Sequence, residues 1–418
     1  MDRRSFVSRS ATTLGAVAAA RTGAFDLPAP SLEGITLQTK PAPITDDERR
    51  ARIEKARRLM AENGIDAMFL EGGSSMVYFT GVHWGNSERT FGVVIPAKGD
   101  LAWVTPGFEE ERARELIKFS NDVRVWQEDE SPFQVIAGIL KDRGVTNGKV
   151  GMEERVRFFI ADGVRQRLPS AQYVIATPVT AGCRMIKSPS EIALMQHANE
   201  ITLQAIGATL KALKPGMSQH DVSASVASVT QRLGGTSDGG GALVIFGKYT
   251  AFPHGSSQPQ TLREGDVVLV DAGCTVDGYT SDITRTTVFG KPTQRQRDVW
   301  EIEKRAQDAA FKAAQVGAAC ESVDAAARKV ITDAGFGPGY KVPGLPHRTG
   351  HGIGLDGHEW TNFVKGNTTK IQPGMCFSDE PTIAIYGEFG IRLEDCLHIT
   401  ENGPQMFTPR SPSIERPV

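Results

Sequence analysis

The chain has 418 residues, 40% of them hydrophobic, with a formal net charge of −2 at pH 7. That is long enough for two domains with proper cores, and with no acidic or basic tail and no aromatics interleaved with its basic run it argues against nucleic-acid binding. Five cysteines, Cys183, Cys274, Cys320, Cys376 and Cys396, are odd in number and lack close-spaced pairs, which argues against a disulfide framework.

Met1-Asp2-Arg3-Arg4-Ser5-Phe6-Val7 and the weakly apolar stretch from Ala11 to Ala20 resemble a twin-arginine export signal. The segment is too short and too polar to be a permanent membrane span. Residues 1–30 therefore read as signal and linker of a periplasmic or otherwise exported protein, with a helical or disordered end on a cytoplasmic enzyme as the alternative. Next, the capping box Thr45-Asp46-Asp47-Glu48 opens a helix with Ile53, Ala56, Leu59 and Met60 at helical spacing, closed by Asn63-Gly64. The basic run from Arg49 to Arg58 reads as its solvated face. The runs Ala67–Leu70, Phe91–Ile95 and Leu101–Val104 then describe a small α/β domain over residues 41–186. Near Lys187, Ser188-Pro189-Ser190-Glu191 joins an N-cap, a first-turn proline and a capping-box acid, and opens a long amphipathic helix through Ile192, Met195 and Ile201. A second helix starts at Ser218, and the strand Ala242–Phe246 leads into the remainder of a larger domain, residues 187–418.

The chemistry lies in that domain. Val267–Gly273 and Tyr279–Phe289 are β-branched runs on either side of an Asp277-Gly278 turn, a hairpin signature. A two-residue loop pairs Asp271 with Thr284 and sets Asp282 on the same sheet face as Asp271. Phe377–Ile385 and Phe389–Asp395 flank a second turn near Gly387, and a loop centred there sets Glu380 opposite Glu394. Facing carboxylates repel unless a cation neutralises them, so two such hairpins in one chain point to bound divalent metal. Between them, His347-Arg348-Thr349-Gly350-His351-Gly352-Ile353-Gly354-Leu355-Asp356-Gly357-His358 crowds three imidazoles into a glycine-rich segment where backbone can approach a ligand.

This order of motifs, Asp-Ala-Gly, an Asp eleven residues after the first, His-Gly-Ile-Gly, Glu-Pro and Arg-Leu-Glu-Asp, resembles the pita-bread metallopeptidases, specifically the proline-specific branch that contains Xaa-Pro dipeptidase and aminopeptidase P. The resemblance implies an α/β (α+β) chain, with a pita-bread catalytic domain behind a smaller α/β amino-terminal domain. It further implies that Asp282 and Glu394 bridge two metals, that Asp271 completes one coordination sphere, and that His351 and Glu380 complete the other. Oxygen-rich ligation with a single imidazole suits Mn(II), with Co(II), Zn(II) or Fe(II) as alternatives. Two such ions hold a bridging water and lower its pKa, so the expected nucleophile is hydroxide.

By the same resemblance Glu380 is also the proton shuttle, His358 donates to the substrate carbonyl or oxyanion, and His254 and His347 line the substrate pocket. Arg392 alternates with Glu394 on one strand face and either orients a metal ligand, pairs with a neighbouring acid or reads the carboxylate of a dipeptide. Trp84, in the loop His83–Arg89, is expected to wall a substrate pocket, that of a neighbouring subunit in a homodimer. One position departs from the family pattern: Ala384 stands where relatives carry a tyrosine, and Tyr386 shares its strand parity. The expected activity is hydrolysis of the bond preceding proline in short Xaa-Pro peptides. A hydrolase or lyase of a small non-peptide zwitterion on the same fold is the alternative, and the complete ligand set argues against a non-catalytic binding module.

Overall fold

Alternation decides the first sheet. In the strand Ala67–Glu71 (β1), Met68 and Leu70 enter one apolar cluster while Ala67 and Phe69 enter another, so both faces of the sheet have to be covered. The computed structural model, which describes residues 30–237 and 241–418, covers them with helices. The export-like segment lies outside the described residues. Helix α1 (Asp46–Asn63) carries the expected cap: Thr45 accepts from the Glu48 N–H, and Gly64 closes the helix at φ 63°. After β1 come α2 (Ser74–Thr80), β2 (Gly92–Pro96), β3 (Ala102–Pro106), α3 (Glu110–Leu116), β4 (Val123–Trp126), α4 (Pro132–Asp142), β5 (Lys149–Met152), α5 (Phe158–Arg167), β6 (Gln172–Ile175) and α6 (Thr177–Arg184). The strands form one mixed sheet in the order β4-β3-β2-β1-β5-β6.

The larger domain is built from two pairs of helices, each lying on a strand layer. Helix α7 (Pro189–Lys211) starts at a complete capping box between Ser188 and Glu191, and α8 (Gln219–Arg232) starts at Ser218. These two pack through Leu203, Ile206, Val222 and Val226 onto β7 (Leu243–Phe246), β8 (Val267–Ala272) and β11 (Ile283–Val288), ordered β11-β8-β7. Two short strands, β9 (Thr275–Val276) and β10 (Tyr279–Thr280), continue the hairpin beyond β8. Helices α9 (Gln294–Ala313) and α10 (Cys320–Asp333), which the sequence reading did not single out, form the second pair. Their Val299, Trp300, Ala306, Val323 and Ile331 join a core with the strands that follow. Those are β12 (Gly350–Gly352), β13 (Glu359–Phe363), β14 (Cys376–Asp379), β15 (Thr382–Ile385), β16 (Phe389–Arg392), β17 (Asp395–Thr400) and β18 (Gly403–Met406), in a five-stranded sheet β13-β12-β14-β17-β18 and a pair β15-β16. Among the described residues, no helix is long and apolar enough to cross a membrane.

Arg52, expected on a solvated face, is buried and locks the domains together. Its guanidinium donates to Glu48 at 2.9 Å, to the Tyr78 carbonyl at 3.0 Å and to the Tyr279 hydroxyl at 3.0 Å, and Tyr279 in turn donates to Glu191 at 2.8 Å. A buried cation persists only where such acceptors surround it, and the helical charge pattern alone could not reveal them.

Candidate active site

The first hairpin has the expected register. Asp271 pairs with Thr284, and Val276 with Tyr279 across the Asp277-Gly278 turn, whose residues take φ 48° and 84°. Between the two ladder segments the pairing breaks at Gly273-Cys274 and Ser281-Asp282. A Cβ on Gly273 would stand 2.2 Å from the Ser281 carbonyl oxygen, so only glycine permits this approach. The second hairpin repeats the device. The β14/β17 ladder reaches Asp379 and Asp395, and β15/β16 resumes at Thr382 and Arg392 in the same register, which sets Glu380 against Glu394 in the gap. Pro381 brings no N–H to that gap. Freed from β16, the Glu394 backbone pairs instead with Thr284, in both directions at 3.1 and 3.2 Å, and joins the two hairpins edge to edge.

That seam brings the expected ligands together. Donor atoms of Asp271, Asp282 and Glu394 lie within 4.8 Å of one another, and so do those of His351, Glu380 and Glu394. A third such set, Asp282, His351 and His358, was not foreseen, because His358 was expected only as a hydrogen-bond donor. The His351 Nε2 is 3.1 Å from Glu380 Oε1 and 3.7 Å from Asp282 Oδ2. All five residues line a cavity of about 410 Å³ together with His254, His347, Arg348, His358 and Arg392. Trp84 is not on that wall. Its ring stacks on Phe91 at 3.9 Å and takes the Arg112 guanidinium at 4.5 Å, so it packs within its own domain.

Electrostatics favour a cation here. Burial, reinforced by the neighbouring carboxylates, pushes Asp282 well above the usual carboxylate range. Burial lifts Glu380 to about 7 against the pull of Arg392, and lifts Glu394 to about 8 with the push of Glu380 and Asp271. A divalent ion reverses that cost, and these residues fit one. The buried His351 ring places Nδ1 3.1 Å from the Gly352 carbonyl, which only accepts, so the proton sits on Nδ1 and the Nε2 lone pair faces the carboxylates.

Several supporting side chains escaped the sequence reading, since nothing in their spacing marks them. Thr284 donates to Glu394 at 2.6 Å, Ser378 to Glu380 at 3.3 Å, and the buried Arg285 to Asp395 at 2.6 Å and the Glu394 carbonyl at 2.8 Å. Arg392, which the sequence did mark, supports the site in the same way. Its three nitrogens donate to Asp271, to Thr284 Oγ1 at 3.1 Å and to the Pro253 carbonyl at 2.9 Å. Of the roles expected for Arg392, this geometry matches orientation of a ligand and a pair with a neighbouring acid.

The histidines differ in what they can offer. His347 is satisfied by the protein, donating from Nδ1 to the Arg348 carbonyl at 2.7 Å and accepting at Nε2 from Thr382 at 3.0 Å; burial lowers it to about 4. His358 lies with its ring 3.9 Å from that of His351 and accepts at Nδ1 from Arg348 Nη2 at 3.0 Å. A guanidinium only donates, so neutral His358 carries its hydrogen on Nε2, and burial, with the neighbouring His351 and Arg348, holds it neutral by lowering it to about 4. Ala384 is fully buried. Tyr386 does not replace the missing tyrosine: it is exposed and stacks on Phe252 at 5.4 Å.

Comparison with known proteins agrees with this geometry. Residues 193–401 match metallopeptidase family M24, and residues 52–186 match the creatinase/prolidase N-terminal domain. The chain is 36% identical over 370 residues to an uncharacterized peptidase of Schizosaccharomyces pombe, covering 84% of this chain and 78% of the relative. It is 30% identical over 364 residues to an Xaa-Pro dipeptidase of Pyrococcus furiosus, covering 86% and 98%. Among solved structures, dipeptidase PepE from Mycobacterium ulcerans superimposes with a TM-score of 0.81 at 29% identity, over 90% of this chain and 99% of that one.

Proposed function

Because the chain belongs to metallopeptidase family M24, with a creatinase/prolidase domain ahead of the catalytic one, we propose that it hydrolyses the peptide bond preceding proline in short Xaa-Pro peptides, dipeptides first. The observation that carries this reading is the convergence of Asp271, Asp282, His351, Glu380 and Glu394 on one cavity that His358 also lines. Relatives named Xaa-Pro dipeptidase, matched over nearly their whole length, support the choice of substrate.

Glu394 belongs both to the set with Asp271 and Asp282 and to the set with His351 and Glu380, and Asp282 Oδ2 lies 3.7 Å from His351 Nε2. This supports a pair of divalent cations that these five residues would hold with Glu394 and Asp282 shared, Mn(II) being preferred for the oxygen-rich donors. When bound, such a pair supplies Lewis acidity and an acidified water at neutral pH. Glu380 takes the proton from the attacking water and delivers it to the proline nitrogen as the C–N bond breaks. His358 donates from Nε2 to the carbonyl oxygen as charge develops there. Arg392 holds Asp271 in place, and Thr284 holds Glu394. The proposal extends to a homodimer and to export directed by residues 1–30; light scattering and compartment fractionation test these two.

The decisive assay loads the protein with Mn(II) and follows release of free amino acid from an Xaa-Pro dipeptide and an Xaa-Pro-Xaa tripeptide. Dipeptide cleavage is expected, and Glu380→Ala is expected to reduce kcat by at least about 10²-fold, the lower bound for a lost general acid–base group. Failure to cleave either peptide would move the small-zwitterion reading forward.

A further inference from the structure

Four arginines stand around the metal-site cavity and the neighbouring cavity of about 470 Å³ between the two domains. Three are occupied. Arg392 is held by Asp271, Arg155 pairs with Asp356 at 3.0 Å, and Arg184 pairs with Asp356 at 2.6 Å and Glu359 at 2.5 Å. Arg348 is the exception: among the described residues no carboxylate lies within ion-pair distance of it, and its side-chain hydrogen bond goes from Nη2 to the neutral ring of His358. It lines both cavities, as His358 does, and so stands where one opens into the other.

We propose that Arg348 is the residue that reads the free carboxylate of the dipeptide substrate, and so limits the peptide to a single residue beyond the scissile bond. This rests on the peptidase reading above. In Xaa-Pro the carboxylate lies only about one residue, roughly 3.8 Å, beyond the scissile carbonyl, so its reader has to stand next to the oxyanion donor. Arg348 does: its Nη2 is 3.0 Å from Nδ1 of His358, whose ring lies 3.9 Å from that of His351.

The backbone on either side of Arg348 is braced from α10. Arg328 donates to the carbonyls of Leu345 and His347, while Asp324 accepts from the Thr349 N–H at 3.1 Å and its hydroxyl at 2.8 Å. The half-buried Arg348 side chain is therefore presented from a fixed base, and its planar fork matches a carboxylate. Because the same guanidinium donates to His358 Nδ1, a bound carboxylate and the oxyanion donor share one anchor.

The test compares Xaa-Pro, its C-terminal amide and Xaa-Pro-Xaa as substrates of the Mn(II)-loaded full chain, in wild type, Arg348→Met and Arg348→Lys. Loss of the His358 contact lowers turnover of all three together, so the diagnostic quantity is the ratio of kcat/KM for the acid to that for the amide. Wild type should favour the acid by roughly 10- to 100-fold, the span of a charge-assisted hydrogen bond. Arg348→Met should bring the ratio near one, mainly through KM for the acid, and Arg348→Lys should restore part of it. An unchanged ratio in Arg348→Met, or a wild type that cleaves the amide and tripeptide as readily as the acid, overturns this inference while the peptidase reading stands. No turnover of any of the three by wild type overturns both.

Discussion

At the scale of single residues, function depends on which partner each charge has. Arg392 and Arg348 are both guanidiniums at one cavity, yet the first is held by Asp271 and two further protein acceptors, and the second has no carboxylate within ion-pair distance among the described residues. The Arg392 fork fixes the orientation of Asp271, as groups behind metal ligands commonly do. Arg392→Lys keeps the charge but loses the three-way geometry, and is expected to weaken metal affinity by roughly 10- to 100-fold. Competition with a chelating dye measures this; unaltered metal affinity would mean that Asp271 needs no such support. Glu303 and Asp379 are a different matter: both are fully buried with no hydrogen-bond partner for their carboxyl oxygens among the described residues, and burial pushes both carboxyls well above their usual range.

At the scale of elements, three of the five converging residues, Asp282, Glu380 and Glu394, stand where ladders stop, while Asp271 and His351 are paired within β8/β11 and β12/β13. Each hairpin keeps one register through its break, so the strands hold position while Asp282, Glu380 and Glu394 in the gaps line the cavity. Glycines make the close approaches possible. A Cβ on Gly350, next to His351, would lie 2.1 Å from the Ser378 carbonyl oxygen, a backbone atom that cannot rotate away. Gly350→Ala must separate β12 from β14 and shift His351, with an expected cost of about 1–3 kcal/mol or more and a loss of metal affinity. Thermal melts with and without Mn(II) read both effects, and a variant that melts and binds like wild type would contradict the close approach. The loop after His351 is secured separately: Glu359 accepts from the Leu355 and Asp356 N–H groups and from Arg184 and Lys187, and these cations hold its buried carboxyl down at about 2.

For the whole molecule, the site is a stability cost that metal removes. Glu380 and Glu394 titrate near 4.5 when exposed and near 7 and 8 in the metal-free fold, so folding favours their protonated forms. Their contribution is complete below pH 4.5 and is lost as pH rises through 7 to 8. The lowered histidines act in the opposite sense, their contribution being complete above 6.5 and lost as pH falls toward 4. Between pH 6.5 and 8 only the carboxylates change, so the metal-free protein should melt at lower temperature as pH rises across that window. Added Mn(II) should raise Tm more at pH 8 than at pH 6.5, since binding displaces protons. Calorimetry of chelated and metal-loaded samples decides this, and a metal-free Tm that rises across the window would contradict it. The same scale accounts for the docking of the domains, where Arg52 reaches Glu191 and Arg184 reaches Asp356 and Glu359 of the other domain.

What was legible in the chain was whatever depends on counting along it. The capping boxes at Thr45 and Ser188, the Asp277-Gly278 turn, and the facing of Asp271 with Thr284 and of Glu380 with Glu394 are matters of local spacing, because hairpin register follows from turn length. The five converging side chains and the family followed from these and from motif order. Tertiary structure decided the rest. The seam between Glu394 and Thr284 joins residues 110 positions apart, and the burial of Arg52 depends on Tyr279, 227 positions away. Trp84 packs on Phe91, Arg392 is claimed by Asp271, and Arg348 is left without a carboxylate among the described residues. Whether a charged or aromatic side chain is spent on its own fold or remains available to a substrate is settled by which groups meet it through space, and spacing along a chain does not carry that information.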